Sequence, residues 1–251
     1  MKLLEKLFLA GSLLLLITAC NNNGHSLGDF SISIGNIVNP DESKAFYINL
    51  DNGKRLWTAA SAYTDYRPKD STRILANYTI LADVKNASYD YDVKLNEVYE
   101  VLTKPIFNIT PEIEDSIGND PVGVRQMWTG CDYLNVEFVY YGAYRTHFIN
   151  LVPAEVAEVK NPEAGHVYLE FRHNANNDSP RMLYGGYVSF ELASLKKHAE
   201  TDKLMLHVFV KESDYNTKEY KLEYKIGHDG TASAATVGAF HLPDTEKAII
   251  E

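Results

Sequence analysis

Apolar and polar residues alternate along most of this chain, and a period of two belongs to strands, not helices. In YDYDVKLNEVYEVL, Tyr89, Tyr91, Val93 and Leu95 fall on one face and Asp90, Asp92, Lys94 and Asn96 on the other. YLNVEFVYY repeats the pattern, with Leu134, Val136 and Phe138 against Asn135 and Glu137. A helical turn or two fits PAEVAEV and LASLKKHAE, but no long stretch carries helical spacing. The expected fold class is therefore all-β.

Punctuation divides the strands into two groups. FSISIGNIVN, AFYINLDNGKRLW, STRILANYTILADV and YDYDVKLNEVYEVL give about five strands over 30–104, the count of a small OB-type five-stranded barrel. Within it Asn52-Gly53 predicts a type I′ hairpin, in which both turn residues take positive φ. Three prolines and two glycines follow in KPIFNITPEIEDSIGNDPVGV, so 105–125 reads as an inter-domain linker. Alternation resumes in YLNVEFVYY, HFINLV, VYLEFRHNA, GYVSFEL, LMLHVFV and EYKLEYKI, and 126–226 reads as an antiparallel β-sandwich. The pattern is lost again over 227–251, which reads as a tail.

The N-terminus speaks of location. MKLLEKLFLAGSLLLLITAC opens with Lys2 and Lys6, and the apolar run Leu7–Ile17 falls short of the ~20 residues that a membrane span needs. Residues 1–19 have the layout of a secretory signal peptide. Ile17-Thr18-Ala19-Cys20 resembles the lipobox of bacterial lipoproteins, which makes Cys20 the expected lipid attachment site. Residues 20–29 then form a polar tether. Two or three acyl chains give a durable anchor where one is marginal. The expected location is the cell envelope, lipid-anchored to a membrane, the outer membrane being favoured, with the periplasmic or surface side left open. Lipidation of Cys20 would leave Cys131 without a partner for an intramolecular disulfide, and its context beside Asp132 suits a small semi-buried thiol. The net charge of −10 argues against nucleic acid as a partner.

Catalytic and metal chemistry finds little to work with. There is no G-x-S-x-G elbow, P-loop, H-E-x-x-H or CxxC pair. His166 and His173 lie seven residues apart on one expected strand, hence on opposite faces, and cannot share an ion. NANND, from Asn174 to Asp178, could offer oxygen ligands but suits a left-handed turn better. Glu112 and Glu114 read as a solvated acidic loop. No catalytic residue, metal or cofactor is expected. Candidate binding residues are Arg172, His173 and Asn174, at a strand end beside the Asn-rich loop, and Trp128, near the domain joint. Each has a plainer reading: Arg172 as an outward neighbour of core-facing Leu169 and Phe171, and Trp128 as packing in the joint. The barrel aromatics Tyr47, Trp57, Tyr78, Tyr89 and Tyr91 are expected in its core. The tripeptides DST and DSI resemble an O-glycosylation signal, making Ser71 and Ser116 candidate glycan sites.

Longer words carry a family resemblance. LDNGKRLWTAAS, PKDSTRILANYTIL, YDYDVKLNEVYEVLTKPI, DSIGNDPVGVRQMWTGCDYLNVEF, INLV and VYLEFRHNA, in order from Leu50 to Ile226, resemble the NigD-like lipoproteins of Gram-negative anaerobes. The resemblance implies an N-terminal OB domain, a C-terminal β-sandwich, a role in bacteriocin immunity, and no catalytic residues. The expected function is that of a lipid-anchored, non-catalytic binding protein. It would engage an unknown protein partner through the OB face or the inter-domain cleft. Glycan binding is the alternative, since OB faces also take oligosaccharides.

Overall fold

The computed structural model describes residues 25–39, 41–63, 65–154, 163–227 and 233–234. The signal segment, Cys20 and most of the tail lie outside these residues. The first five strands are β1 (Ser31–Val38), β2 (Tyr47–Leu50), β3 (Arg55–Ser61), β4 (Arg73–Asp83) and β5 (Tyr91–Glu100). They close into a barrel in the order β1-β2-β3-β5-β4, with β3 and β5 parallel and the other neighbours antiparallel. This is the closure of an OB barrel, which leaves no free sheet edge. Ile37, Ile48, Leu50, Leu56, Ile74, Val93 and Leu95 fill its interior.

The second half holds β6 (Leu102–Pro105), a one-turn helix α1 (Glu114–Ile117), β7 (Gly123–Gly130), β8 (Tyr133–Gly142), β9 (Phe148–Pro153), β10 (His166–Asn174), β11 (Met182–Glu191), a 3₁₀ helix (Ala193–His198), β12 (Lys203–Ser213), β13 (Asn216–Lys225) and β14 (Ser233–Ala234). Two sheets form, β13-β12-β10-β9 and β14-β7-β8-β11-β6. Phe138, Phe171 and Phe190 meet edge to face between them, with ring centroids 5.9 and 6.0 Å apart. The fold is all-β, an OB-type barrel followed by a β-sandwich, with two parallel neighbours inside the sandwich, β10·β12 and β11·β6.

Two local expectations are corrected. Leu102 to Lys104, read as the end of the barrel domain, and Pro105, read as the start of the linker, pair with Val188–Glu191 of β11, so the chain enters the second sheet as soon as β5 ends. β7 likewise begins at Gly123, inside the span read as linker. The other correction concerns the β2–β3 turn. Among Leu50, Asp51, Asn52 and Gly53 only Gly53 takes positive φ, 82°, and its N–H donates to Leu50 O. The turn thus starts one residue earlier than type I′ would, with the glycine in the left-handed bulge position. A type I′ geometry is found instead at Cys131–Asp132, where φ is 45° and 65° between β7 and β8.

β4 explains how the halves join. All of Arg73–Thr79 is buried, because Ile74, Ala76 and Tyr78 face the barrel interior while Arg73 and Leu75 face the sandwich. Ile34, Leu75 and Val101 of the barrel pack against Trp128 and Tyr187 of the five-stranded sheet. Beside this apolar contact lies Arg73, its side chain 1% exposed. Its Nε donates to Ser189 Oγ at 2.7 Å, Nη1 to Asn36 Oδ1 at 2.8 Å, and Nη2 to Asn135 Oδ1 at 2.8 Å and to Asp51 Oδ2. Asn135 Nδ2 donates to the same Asp51 oxygen at 2.8 Å, and the guanidinium lies 4.0 Å from the centre of the Tyr133 ring. Burial pushes the Asp51 carboxyl up, against the pull of Arg73 and Asn135.

A buried charge stripped of its partner costs about 3–5 kcal/mol, whereas removing both charges costs far less. Arg73→Met is therefore expected to lose roughly that amount in urea unfolding, and Asp51→Asn/Arg73→Met to recover part of it. A loss under about 1 kcal/mol in the single variant would show that the joint does not depend on the pair.

Candidate functional site

A cleft of about 600 Å³ lies between barrel and sandwich. The barrel supplies Asn36, Asn49, Leu50, Gly53, Lys54, Arg55, and Ala87 to Asp90; the sandwich side supplies Cys131, Asp132 and Gly227. Its shape follows from the two hairpins. The early turn at Leu50–Gly53 sends the Asp51 side chain into the joint and leaves Lys54 and Arg55 on the cleft wall. The Cys131–Asp132 turn faces it from the sandwich, with Cys131 Sγ 3.7 Å from Leu50 O. Gly130 closes the gap: a Cβ there would lie 2.7 Å from Asp51 Cβ, so a larger residue would push the hairpins apart.

Both carboxylates of the lining are engaged. Asp90 accepts from Lys54 Nζ at 2.9 Å and from Arg55 N–H at 2.8 Å, and the Arg55 amide, with Lys54 beside it, holds its carboxyl below the usual range. Asp132 accepts from Lys196 Nζ at 2.6 Å and from Tyr224 Oη at 2.5 Å. Burial, reinforced by Asp132, pushes the Tyr224 phenol upward. Arg55 makes no ion pair among the described residues. Its guanidinium lies 4.2 Å from the Tyr47 ring centre, and its buried Nε has no hydrogen-bond partner.

Beyond Arg55 the wall becomes aromatic. Alternation along β2 and β3 sends Ile48, Leu50 and Leu56 inward and Tyr47, Asn49, Arg55 and Trp57 outward. Tyr89 joins them, giving ring centroids 4.7 Å (Tyr47–Trp57), 5.7 Å (Tyr47–Tyr89) and 6.4 Å (Trp57–Tyr89). The expectation that the barrel aromatics are core is thus corrected for these three. Tyr78 is buried, and Tyr91 packs partly against the core. The cleft and its margin together offer aromatic faces, neutral amides, two ion pairs and the Arg55 guanidinium, with the Asp92 carboxylate bonded to the Tyr89 hydroxyl at the margin's far side.

Comparison with other proteins identifies the architecture. Residues 34–101 match the NigD-like N-terminal OB domain, and residues 105–224 the NigD-like C-terminal beta sandwich domain. A solved structure from Parabacteroides distasonis, described only as toxin related, is 35% identical, with a TM-score of 0.63 over 79% of this chain and 95% of that one. The chain belongs to the NigD-like family. A protein of unknown function from Bacteroides vulgatus is 28% identical, with a TM-score of 0.69 over 85% of this chain and 96% of that one. A NigD-like immunity protein from Bacteroides caccae shares the fold at 19% identity, with a TM-score of 0.57 over 80% and 99% of the two chains. No curated protein matches the chain.

In this NigD-like chain the residues singled out from sequence do not converge. Trp128, 5% exposed, packs in the joint. Arg172 pairs with Glu170 on the outward face of β10. Asn174 Nδ2 donates to Ser116 O at 2.7 Å and its Oδ1 accepts from the Asn176 N–H, steadying a loop in which Asn176 and Asn177 take φ of 51° and 53°. None of these lines the cleft. Ser71 and Ser116 are both exposed; Ser71 takes φ 63°, and Ser116 Oγ donates to Ile113 O at 2.7 Å. Glu112 and Glu114 are exposed. Among the described residues no three His, Cys, Asp or Glu side chains are placed to hold a metal ion. Cys20 lies outside the described residues.

His173 turns inward and is 2% exposed. Its Nδ1–H donates to Pro121 O at 3.0 Å, and its Nε2 meets His147 Nδ1 at 2.8 Å. His147 Nε2 lies 3.3 Å from Asp178 Oδ2. Burial lowers His173, with His147 adding to the effect against the pull of Pro121. Burial raises Asp178, but the N–H groups of Ala143, Arg145 and Tyr144, with His147, outweigh it and hold the carboxyl well below its usual range. Both shifts have the same sign for stability. A histidine with a depressed folded pKa destabilises the fold as pH falls below its ordinary 6.5. The aspartate's contribution is present above its ordinary 3.8 and lost as pH falls further. The thermal midpoint is expected to hold above about pH 6.5, to decline below it, and to decline again below about 3.8. A midpoint that rises from pH 7 to 5.5 would contradict this.

Proposed function

We propose that this NigD-like protein is a lipid-anchored lipoprotein of the cell envelope that binds a partner in the cleft between its domains, without catalysis. The observation that carries the reading is the cleft itself, walled by both domains and tied through Asn36 to the buried Arg73 joint that links them. Support for the anchor comes from the basic, apolar and Cys20-terminated N-terminus. The negative charge suits a partner other than nucleic acid. Bacteriocin immunity is the role that the family resemblance implies, and a relative described as toxin related is in keeping with it.

Crosslinking from native membranes, followed by mass spectrometry, tests this. Wild type is expected to retain one specific partner with crosslinks at Lys54. Cys20→Ser is expected to lose lipid, membrane association and that partner together. Deletion is expected to sensitise the producing cell to a toxin. A Cys20→Ser protein that still fractionates with membranes would remove the anchor, and unchanged survival would remove the immunity role.

A further inference from the structure

We propose that the cleft and its aromatic margin form a binding site for an acidic oligosaccharide, one bearing a carboxylate on a sugar ring. The inference deepens the cleft-binding reading and depends on it, but does not depend on the partner being a protein. Three observations carry it.

The first is the aromatic margin. Tyr47, Trp57 and Tyr89 stand on the outer face of a barrel whose interior is already filled, so packing that interior does not require them. Their ring faces are tilted by 42–52° to one another, which makes a faceted apolar surface and not a flat stack. Sugar rings present apolar C–H faces of that size, with hydroxyls around the edge. The second is the neutral polar rim. Asn36, Asn49 and Ser88 line the same cleft and supply amide and hydroxyl groups able to donate and accept. Asn49 is exposed, directly opposite Arg55 across the β2–β3 ladder.

The third observation selects an acidic sugar over a neutral one. Of the four charged side chains in the lining, Lys54 and Asp90 neutralise each other, and Asp132 is paired with Lys196 from outside it. Arg55 is left as a cation with no ion pair among the described residues; its Nε is sealed from solvent, so its Nη groups are the donors that could meet a ligand. Its Cζ lies 4.2 Å from the centre of the Tyr47 ring, a contact that helps to hold the side chain in place. An unpaired guanidinium is suited to a carboxylate, which takes two parallel N–H donors, here the two Nη groups. A sugar ring seated on Tyr89 or Trp57 would bring a ring carboxylate to Arg55.

Only two tryptophans are present, and Trp128 is sealed in the joint, so a fluorescence change on ligand addition reports Trp57. The full chain in detergent would be titrated with polygalacturonate oligosaccharides and, separately, with uncharged maltohexaose. A saturable change is expected with the acidic sugar, with affinity falling about tenfold or more in Arg55→Gln, where the charge-assisted pair is lost. The surface variant Asn49→Asp, which sets a like charge beside Arg55 and leaves the core untouched, is expected to weaken binding in the same direction. Equal affinity for maltohexaose, or binding unchanged in both variants, would overturn the assignment. If neither sugar binds while the membrane crosslinks still map to Lys54, the saccharide inference fails and the cleft reading stands. If both are absent, both fall.

Discussion

The Arg73 guanidinium is the point on which the two domains turn. It comes from the barrel, yet two of its acceptors, Ser189 and Asn135, belong to the sandwich, while Asn36 and Asp51 belong to the barrel. A charge this deep is tolerable only when its donors are satisfied, and the joint satisfies Arg73 on every nitrogen. The geometry is demanding. Asn135 must accept from Arg73 and from Ser189 Oγ through one oxygen and donate to Asp51 through its amide. An apolar joint would let the barrel slide or rotate by small amounts at little cost. A planar fork with fixed acceptors on both bodies does not, since a shift of an ångström breaks several charge-assisted bonds at once.

That registration sets the cleft above it. Asp51 reaches Arg73 because the β2–β3 turn begins at Leu50, and the same turn leaves Lys54 and Arg55 facing outward. The opposing hairpin pays for its position in backbone conformation. Cys131 and Asp132 both sit at positive φ, which aspartate tolerates but which is uncommon for cysteine. Asp132 is held there by Tyr224 and Lys196, and its carbonyl takes the Leu192 N–H, so the surrounding fold over-determines the strained turn.

The strand pattern was legible because burial on one face writes a period of two into the chain, and both domains do this. What was not legible was the second burial. Asn135 and Glu137 alternate with Val136 and Phe138 as solvent-facing residues should, yet both are buried, because the outer face of their sheet meets other structure. Arg73, at the head of an apolar run, gave no sign that its partners lie as far along the chain as Ser189. The β2–β3 turn differs from its sequence expectation for a related reason. Asn52-Gly53 has the local preference for type I′, but the joint needs Asp51 inside, and tertiary demand outweighs a local preference of this size. For the cleft, Tyr47, Trp57 and Tyr89 were visible as aromatic alternates, but period alone cannot say which face of a strand points into a barrel.

The same hydrogen bonds bear on the proposal that the cleft binds without catalysis. A general base needs a lone pair free to take a proton, and a general acid a proton free to leave. Asp90 is held ionised by the Arg55 amide and by Lys54, which favours the charged form and weakens it as a base. Asp132 spends its two oxygens on Tyr224 and Lys196, and its negative charge next to Cys131 opposes formation of a thiolate there. Groups so fully committed to one another are suited to holding a surface rigid. Rigidity in turn favours affinity, because a preformed site orders less of itself when a ligand arrives.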